Sequence, residues 1–293
     1  MMKLSEIYKS SVPALSFEVF PPKPDIPLEK VMDVIGDFKQ YSPDFISVTY
    51  GAGGSSRGRT VEIATRIRKE YGLESMAHLT CVGQTHDEVD RILEELHQNG
   101  VSNIMALRGD PPRNNPDFDF SRGEFKYASE LITYIRKHGD FDIAAAAYTE
   151  GHQDCKYIDK DWENLKRKVD CGVDVLITQL FYDNKLFWHF RDTVRKMGIK
   201  VPIIPGIMPM FNGRQIRRIL SMCGASMPSK ILIMLDKYGD SDEDMYRAGV
   251  EYAIKQIQEL VSEGVDGIHL ELMNRPDLAR DVLGGLKRLK GES

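Results

Sequence analysis

The chain has 293 residues, 42% of them hydrophobic and 28% charged, and a formal net charge of -5 at pH 7. That length carries one large domain or two modest ones, and the composition excludes collagen-like, mucin-like and disordered chains. The acidic balance, with lysines such as Lys166 and Lys168 interleaved with acids, disfavours a general nucleic-acid binder, and no run approaches the ~18 apolar residues of a membrane helix.

Met1 to Val12 lacks an apolar core of signal-peptide length, so a cytoplasmic protein is expected, acting on small molecules with no nucleic-acid or membrane partner. Strand and helix signals then alternate along the chain. The first strand-like run, Ala14 to Phe20, carries Glu18 inside Ser-Phe-Glu-Val-Phe-Pro-Pro, and Leu28 to Gln40 reads as a helix. Phe45 to Tyr50 is the second strand, ending on Thr49 and Tyr50. Gly51-Ala52-Gly53-Gly54 follows it in the setting of a dinucleotide fingerprint, but Ser56 occupies the third glycine position, so Gly51 to Gly58 reads as a flexible loop. After a helix from Arg59 to Tyr71, the strand Ser75 to Cys81 carries His78 and Thr80. The helix Asp87 to Asn99 sets Val89, Ile92, Leu93 and Leu96 on one face, with acids and Arg91 opposite.

Asn103 to Leu107 is the fourth strand; Arg108, Gly109 and Asp110 follow, before Pro111 and Pro112 forbid further pairing. Beyond the helix Tyr127 to His138, the strand Asp142 to Tyr148 leads to Glu150 and His152. On the next helix, Asp161 to Cys171, the residues Asn164, Arg167 and Lys168 share one face near the helix start, either as a solvated basic face or as a clamp on cofactor phosphates. Val175 to Phe181, with Gln179, is a strand and Asn184 to Met197 a helix. The strand Pro202 to Ile207 precedes two helices, Arg214 to Cys223 and Asp242 to Glu263, joined by a link containing Pro228, and Gly267 to Met273 is the last strand.

Eight strand-helix units predict an α/β chain folded as one (β/α)8 TIM barrel over residues 1–293, with its active groups at the C-terminal strand ends. An acid between Phe17, Val19 and Phe20 must point into that barrel or spoil a buried face. If Asp110 faces the same cavity, the two like charges push their pKa values apart, keeping one carboxyl protonated as a general acid. Cys81, Cys155, Cys171 and Cys223 form no Cys-x-x-Cys pair and the seven histidines no metal-ligand spacing, so no disulfide framework and no metal are assigned.

Ser-Phe-Glu-Val-Phe-Pro-Pro, Val-Thr-Tyr-Gly, His-Leu-Thr-Cys, Ala-Leu-Arg-Gly-Asp, Ala-Ala-Tyr and Asn-Leu-Lys-Arg-Lys-Val-Asp-Cys-Gly together resemble the methylenetetrahydrofolate reductase family, and Thr178-Gln179, Pro205-Gly206-Ile207-Met208-Pro209 and Asn274-Arg275 extend the resemblance over nearly the whole chain. The resemblance implies an FAD-bearing barrel in which NADH or NADPH reduces the flavin, leaves, and is replaced over the same face by 5,10-methylenetetrahydrofolate, giving 5-methyltetrahydrofolate for methionine synthesis. It implies Glu18 as the acid that opens the folate ring and Asp110 as a group that contacts the pterin and tunes the flavin. Around FAD it sets Thr49, Tyr50, His78, Arg108, Gly109, Asp110, Tyr127, Ala128, Tyr148, His152, Asp161, Asn164, Arg167 and Lys168, the last two toward phosphates and adenosine. Around the folate it sets Glu18, Asp110, Gln179, Gln215 and Arg275.

Two departures from the family pattern are the glycine-rich loop Gly51 to Gly58 and Ile219, which stands where some members place an aromatic that stacks on ligand. The chain ends at Ser293, so a C-terminal regulatory domain and inhibition by S-adenosylmethionine are not expected. A homo-oligomer is. The alternatives are another flavin barrel resembling proline dehydrogenase, or a folate-binding barrel without catalysis, which the intact Glu18 argues against.

Overall fold

The computed structural model describes residues 2–10, 12–50, 57–110 and 123–286. The first half of the chain runs α1 (Leu4–Ile7), β1 (Ala14–Val19), α2 (Glu29–Lys39), β2 (Phe45–Val48), α3 (Arg57–Tyr71), β3 (Glu74–Thr80), α4 (His86–Gln98), β4 (Asn103–Leu107), α5 (Ala128–His138) and β5 (Asp142–Ala147). The second runs α6 (Ile158–Asp170), β6 (Val175–Thr178), α7 (Asn184–Lys196), β7 (Ile203–Ile204), β8 (Gly206–Ile207), α8 (Gly213–Cys223), α9 (Ser229–Tyr238), α10 (Asp242–Ser262), β9 (Gly267–Glu271) and α11 (Pro276–Gly285). Residues 51–56 of the glycine-rich loop, with Pro111 and Pro112, lie outside the described residues, and Arg57 and Gly58 open α3.

All strand pairs are parallel, in the order β7-β6-β5-β4-β3-β2-β1-β9-β8. The run expected as one strand from Pro202 to Ile207 is two. Pro205 has no N–H to continue a ladder, so β7 pairs with β6 on one side of it and β8 with β9 on the other. The Pro205 carbonyl accepts from His269 N at 3.1 Å. This short seam closes the sheet, so nine strands fill the eight predicted positions of a (β/α)8 barrel.

Side-chain alternation divides the core. Leu15, Phe17 and Val19 of β1 face outward and pack with Ile35 and Phe38 of α2 in the layer between strands and helices. Ala14 joins Phe45, Met76, Met105 and Val175 in an inner cluster that also takes Leu4 and Ile7 of α1. The amides at the start of α1 are met by the N-terminal ends of two strands: Leu4 N donates to Asn103 Oδ1 (3.1 Å) and Ser5 N to Asp142 Oδ2 (2.7 Å). α1 therefore plugs the end of the barrel away from the strands' C-terminal mouth.

The link between α8 and α10 contains a helix of its own, α9, beginning just after Pro228. Its Ile231, Met234 and Leu235 pack with Leu220 and Met245 in a separate cluster over the barrel. α6 also begins earlier than expected, at Ile158, so Asn164 lies at its middle and Arg167 and Lys168 in its last turn, and not near its start. The structural cause is Tyr157, extended at the N-cap, whose carbonyl accepts from Asp161 N at 3.1 Å.

Candidate active site

The inward positions of β1, β3 and β9 converge near the mouth. Glu18 is paired in register with Ser47 on one side and Glu271 on the other. His78 Nε2 stands 3.5 Å from Glu18 Oε2 and His269 Nε2 stands 3.7 Å from the same oxygen. The His269 ring is fixed from its other side by Ser16 Oγ, 2.8 Å from Nδ1, while Ser47 Oγ lies 3.4 Å from Nε2. The two rings are nearly enclosed, with His78 7% and His269 2% exposed. His78 Nε2 is buried and has no hydrogen-bond partner among the described residues.

Glu18 points inward, as its apolar neighbours demand, but its like-charge neighbour is not the expected Asp110. Asp110 is exposed at the rim, whereas Glu271 sits beside Glu18 on the adjoining strand. Burial alone would raise the Glu18 pKa; hydrogen bonding to His269, with the charge that His78 and His269 carry when protonated, outweighs it and holds the carboxyl below its ordinary range. Glu271 makes no side-chain hydrogen bond among the described residues, and burial together with the Glu18 charge pushes it up to about 8. Burial also depresses His78 to about 4, so its ring is neutral at pH 7. Of the two carboxyls, Glu271 is thus the one whose protonated form is favoured, and the like-charge partner of Glu18 is Glu271 where the sequence pointed to Asp110.

Glu271 and His269 were legible in principle. The polar residues of Gly-Ile-His-Leu-Glu-Leu alternate with Ile268, Leu270 and Leu272, the same in-out pattern that exposes Glu18.

The carboxyl pair lines a cavity of ≈ 250 Å³ that also takes in His78, Arg108, Gly109, Asp110, Tyr148, His152 and Gln179. A second cavity, ≈ 700 Å³, continues from it over β4, β5 and α6, sharing Arg108, Tyr148 and His152. Tyr127, Ala128, Asp161, Asn164, Arg167 and Lys168 line this longer space. Lys168 reaches back along α6 so that Nζ donates to Ala146 O at 2.5 Å, and burial lowers its pKa to about 8. Arg167 Nη2 donates to Asn164 Oδ1. Where the cavities meet, Arg108 pairs with Asp154 at 2.9 Å and the Tyr148 and His152 rings stand edge to face at 4.7 Å. Burial, reinforced by Asp110, pushes the Tyr148 hydroxyl up to about 12. Gly109 has φ +86°, and a Cβ there would lie 2.7 Å from Val82 Cγ1, so the turn that presents Arg108 and Asp110 requires glycine.

Four predicted residues stand apart from both cavities. Thr49 N donates to Val19 O (3.0 Å) and its carbonyl accepts from Thr60 Oγ1 (2.9 Å); the Tyr50 hydroxyl accepts from Gln84 Nε2 (3.0 Å). Gln215 sits in the first turn of α8, where Oε1 accepts from Phe211 N at 3.1 Å. Arg275 pairs with Asp277 and lies 4.7 Å from the Phe211 ring centroid.

Comparison with known proteins bears on this geometry. A family model described as methylenetetrahydrofolate reductase matches residues 3–287. The chain is 37% identical to the 5,10-methylenetetrahydrofolate reductase of Escherichia coli K12, over 90% of this chain and 88% of that protein. It is 35% identical to methylenetetrahydrofolate reductase (NADH) 1 of Arabidopsis thaliana, over 97% of this chain and 50% of that protein. The chain thus spans about half the length of the plant relatives it matches. Among solved structures, a Clostridium thermocellum protein described as binding two copies of 5-methyl-5,6,7,8-tetrahydrofolic acid superposes with TM-score 0.67 at 13% identity, covering 97% of both chains. That likeness concerns the fold.

Proposed function

This chain belongs to the methylenetetrahydrofolate reductase family, and on that premise we propose that residues 1–293 form one FAD-binding catalytic barrel that reduces 5,10-methylenetetrahydrofolate to 5-methyltetrahydrofolate, with NADH or NADPH as electron donor. The observation that carries the reading is the pair of adjoining cavities, one lined by two partly buried carboxyls and the other ending in cations.

The longer cavity fits a flavin dinucleotide. Lys168 and Arg167 supply positive charge and donors for phosphates, and Ala128, Ala146, Ala147 and Leu165 give an apolar wall. When bound, the flavin supplies hydride storage between nicotinamide and folate. The protein's own part is proton management and positioning. Glu18, reached from the smaller cavity, delivers the proton that lets a folate nitrogen leave the ring carbon, since that nitrogen otherwise departs with negative charge. His269 holds the Glu18 carboxyl, with the His78 ring beside it, Gln179 and Asp110 face the same space for the pterin, and the Arg108 turn stands where the two cavities meet. Gln215 and Arg275 enter as folate contacts only if they give up their present partners.

Purification tests the reading first: the protein should be yellow, and heat-released flavin should be FAD and not FMN. Stopped-flow mixing with NADH, NADPH and methyltetrahydrofolate separately should then reduce the flavin with each competent donor. Colourless protein that neither takes up FAD nor oxidises either nicotinamide contradicts the proposal.

A further inference from the structure

The reaction proposed above consumes one proton per turnover, yet the acid assigned to deliver it is the member of the carboxyl pair held toward its ionised form. Glu18 has an imidazole on each side of it, and Glu271, its register partner on β9, has none. Adjacent strands lie about 4.8 Å apart, so two inward side chains in register are near neighbours. The strands are also clipped together just beyond these residues: Asn274 Oδ1 accepts from Phe20 N at 2.9 Å and Asn274 Nδ2 donates to Phe20 O at 2.8 Å. On the seam side, a Cβ at Gly206 would lie 2.3 Å from Thr178 O, so glycine is required there, and the Glu271 carboxyl stands beside it, 3.4 Å from that position.

We propose that Glu18 and Glu271 work with a single proton, that Glu271 is its resting place, and that Glu271 passes it to Glu18 for each delivery to the folate. Glu271 is thereby a positioning residue acting through Glu18, and the delivery step rests on the folate-reductase reading. The balance is a relay without electron movement. The Glu271 O–H bond breaks as the proton passes to the Glu18 carboxylate; the new Glu18 O–H bond then breaks as an N–H bond forms on the departing folate nitrogen, and a proton from solvent at the mouth returns to Glu271.

Among the described residues, no other group facing the pair offers the same service. His78 from β3 is neutral near pH 7, His269 is committed to Ser16, and Arg108 is paired with Asp154. Tyr182 and Cys223, which feel the Glu271 charge, are themselves held neutral by burial, the thiol with its pKa pushed up to about 11. Asp110 lies at the exposed rim, with Tyr148 and His152 across the cavity.

The test uses purified protein labelled with 13C at the glutamate carboxyl carbon, titrated by NMR in wild type, Glu271→Gln and Glu18→Gln. One carboxyl should remain protonated above pH 7 in wild type, be missing in Glu271→Gln, and titrate at lower pH in Glu18→Gln, where the neighbouring charge is gone. In single-turnover reduction of methylenetetrahydrofolate, the fall in rate at high pH should move to lower pH in Glu271→Gln, with a loss near pH 7.5 of ~10²-fold, the lower end for general acid catalysis. A protonated carboxyl that survives in Glu271→Gln, or an unchanged pH limb in that variant, overturns the proposal. A wild type that reduces no methylenetetrahydrofolate defeats the functional reading and the delivery step together, while the titration still decides the shared proton.

Discussion

Glu271 makes a titration prediction for the folded state that does not depend on turnover. Its folded pKa of about 8 lies above the ordinary value of 4.5, so the folded chain binds the extra proton between those limits and wild-type stability falls as pH rises through them. Glu271→Gln removes that cost. The melting temperature of the variant should match wild type near pH 5, exceed it increasingly toward pH 8, and hold the difference above it; a difference independent of pH contradicts the buried, raised carboxyl. Lys168 makes a complementary prediction. Its ammonium loses charge as pH rises through about 8, and phosphates bind the charged form, so FAD should be held less tightly above that pH. Lys168→Met should bind FAD more weakly throughout and lose the pH dependence, read by released-flavin fluorescence; unchanged retention removes Lys168 from the cofactor site.

Asn274 shows how an element's end tunes the site. β9 leaves the sheet through Met273 and Asn274, at φ 53° and 56°, and Asn tolerates that left-handed conformation better than most residues. Asn274→Ala loses both hydrogen bonds to Phe20 and sets a Cβ-bearing residue without side-chain compensation there, so a loss of roughly 2–4 kcal/mol is expected in urea unfolding. Stability within ~0.5 kcal/mol of wild type would show that the clip does not hold the β1 and β9 ends together. The elements themselves were legible because their periods are strong: strand alternation and the α4 stripe need only local sequence. The four-residue α1 is too short to show a period, and α9 was hidden because a Pro228-containing link reads as loop. Glu18 was legible from its own neighbours. Its pairing with Glu271 was not, because β1 and β9 meet only through barrel closure, and register between strands at opposite ends of the chain is a property of topology.

At the scale of the whole molecule, the barrel divides its labour along its axis. α1 and the inner cluster of Phe45, Met76 and Met105 seal one end, and the polar pairings of Glu18, His78, His269 and Glu271 occupy the other. The sealed end sets rigidity and the open end chemistry, so Leu4→Ala should cost about 2–5 kcal/mol of stability while leaving flavin content per folded protein unchanged. The central claim is that one carboxyl serves only the folate half of the reaction, since nicotinamide oxidation is a hydride transfer that needs no protein acid. The direct measurement is single-turnover reduction of methylenetetrahydrofolate by pre-reduced Glu18→Gln, set beside its NAD(P)H-dependent reduction of menadione. The account predicts a fall of ~10²- to 10⁴-fold in the folate rate, with menadione reduction near wild type. Folate reduction at the wild-type rate would make Glu18 a structural carboxyl and contradict the account.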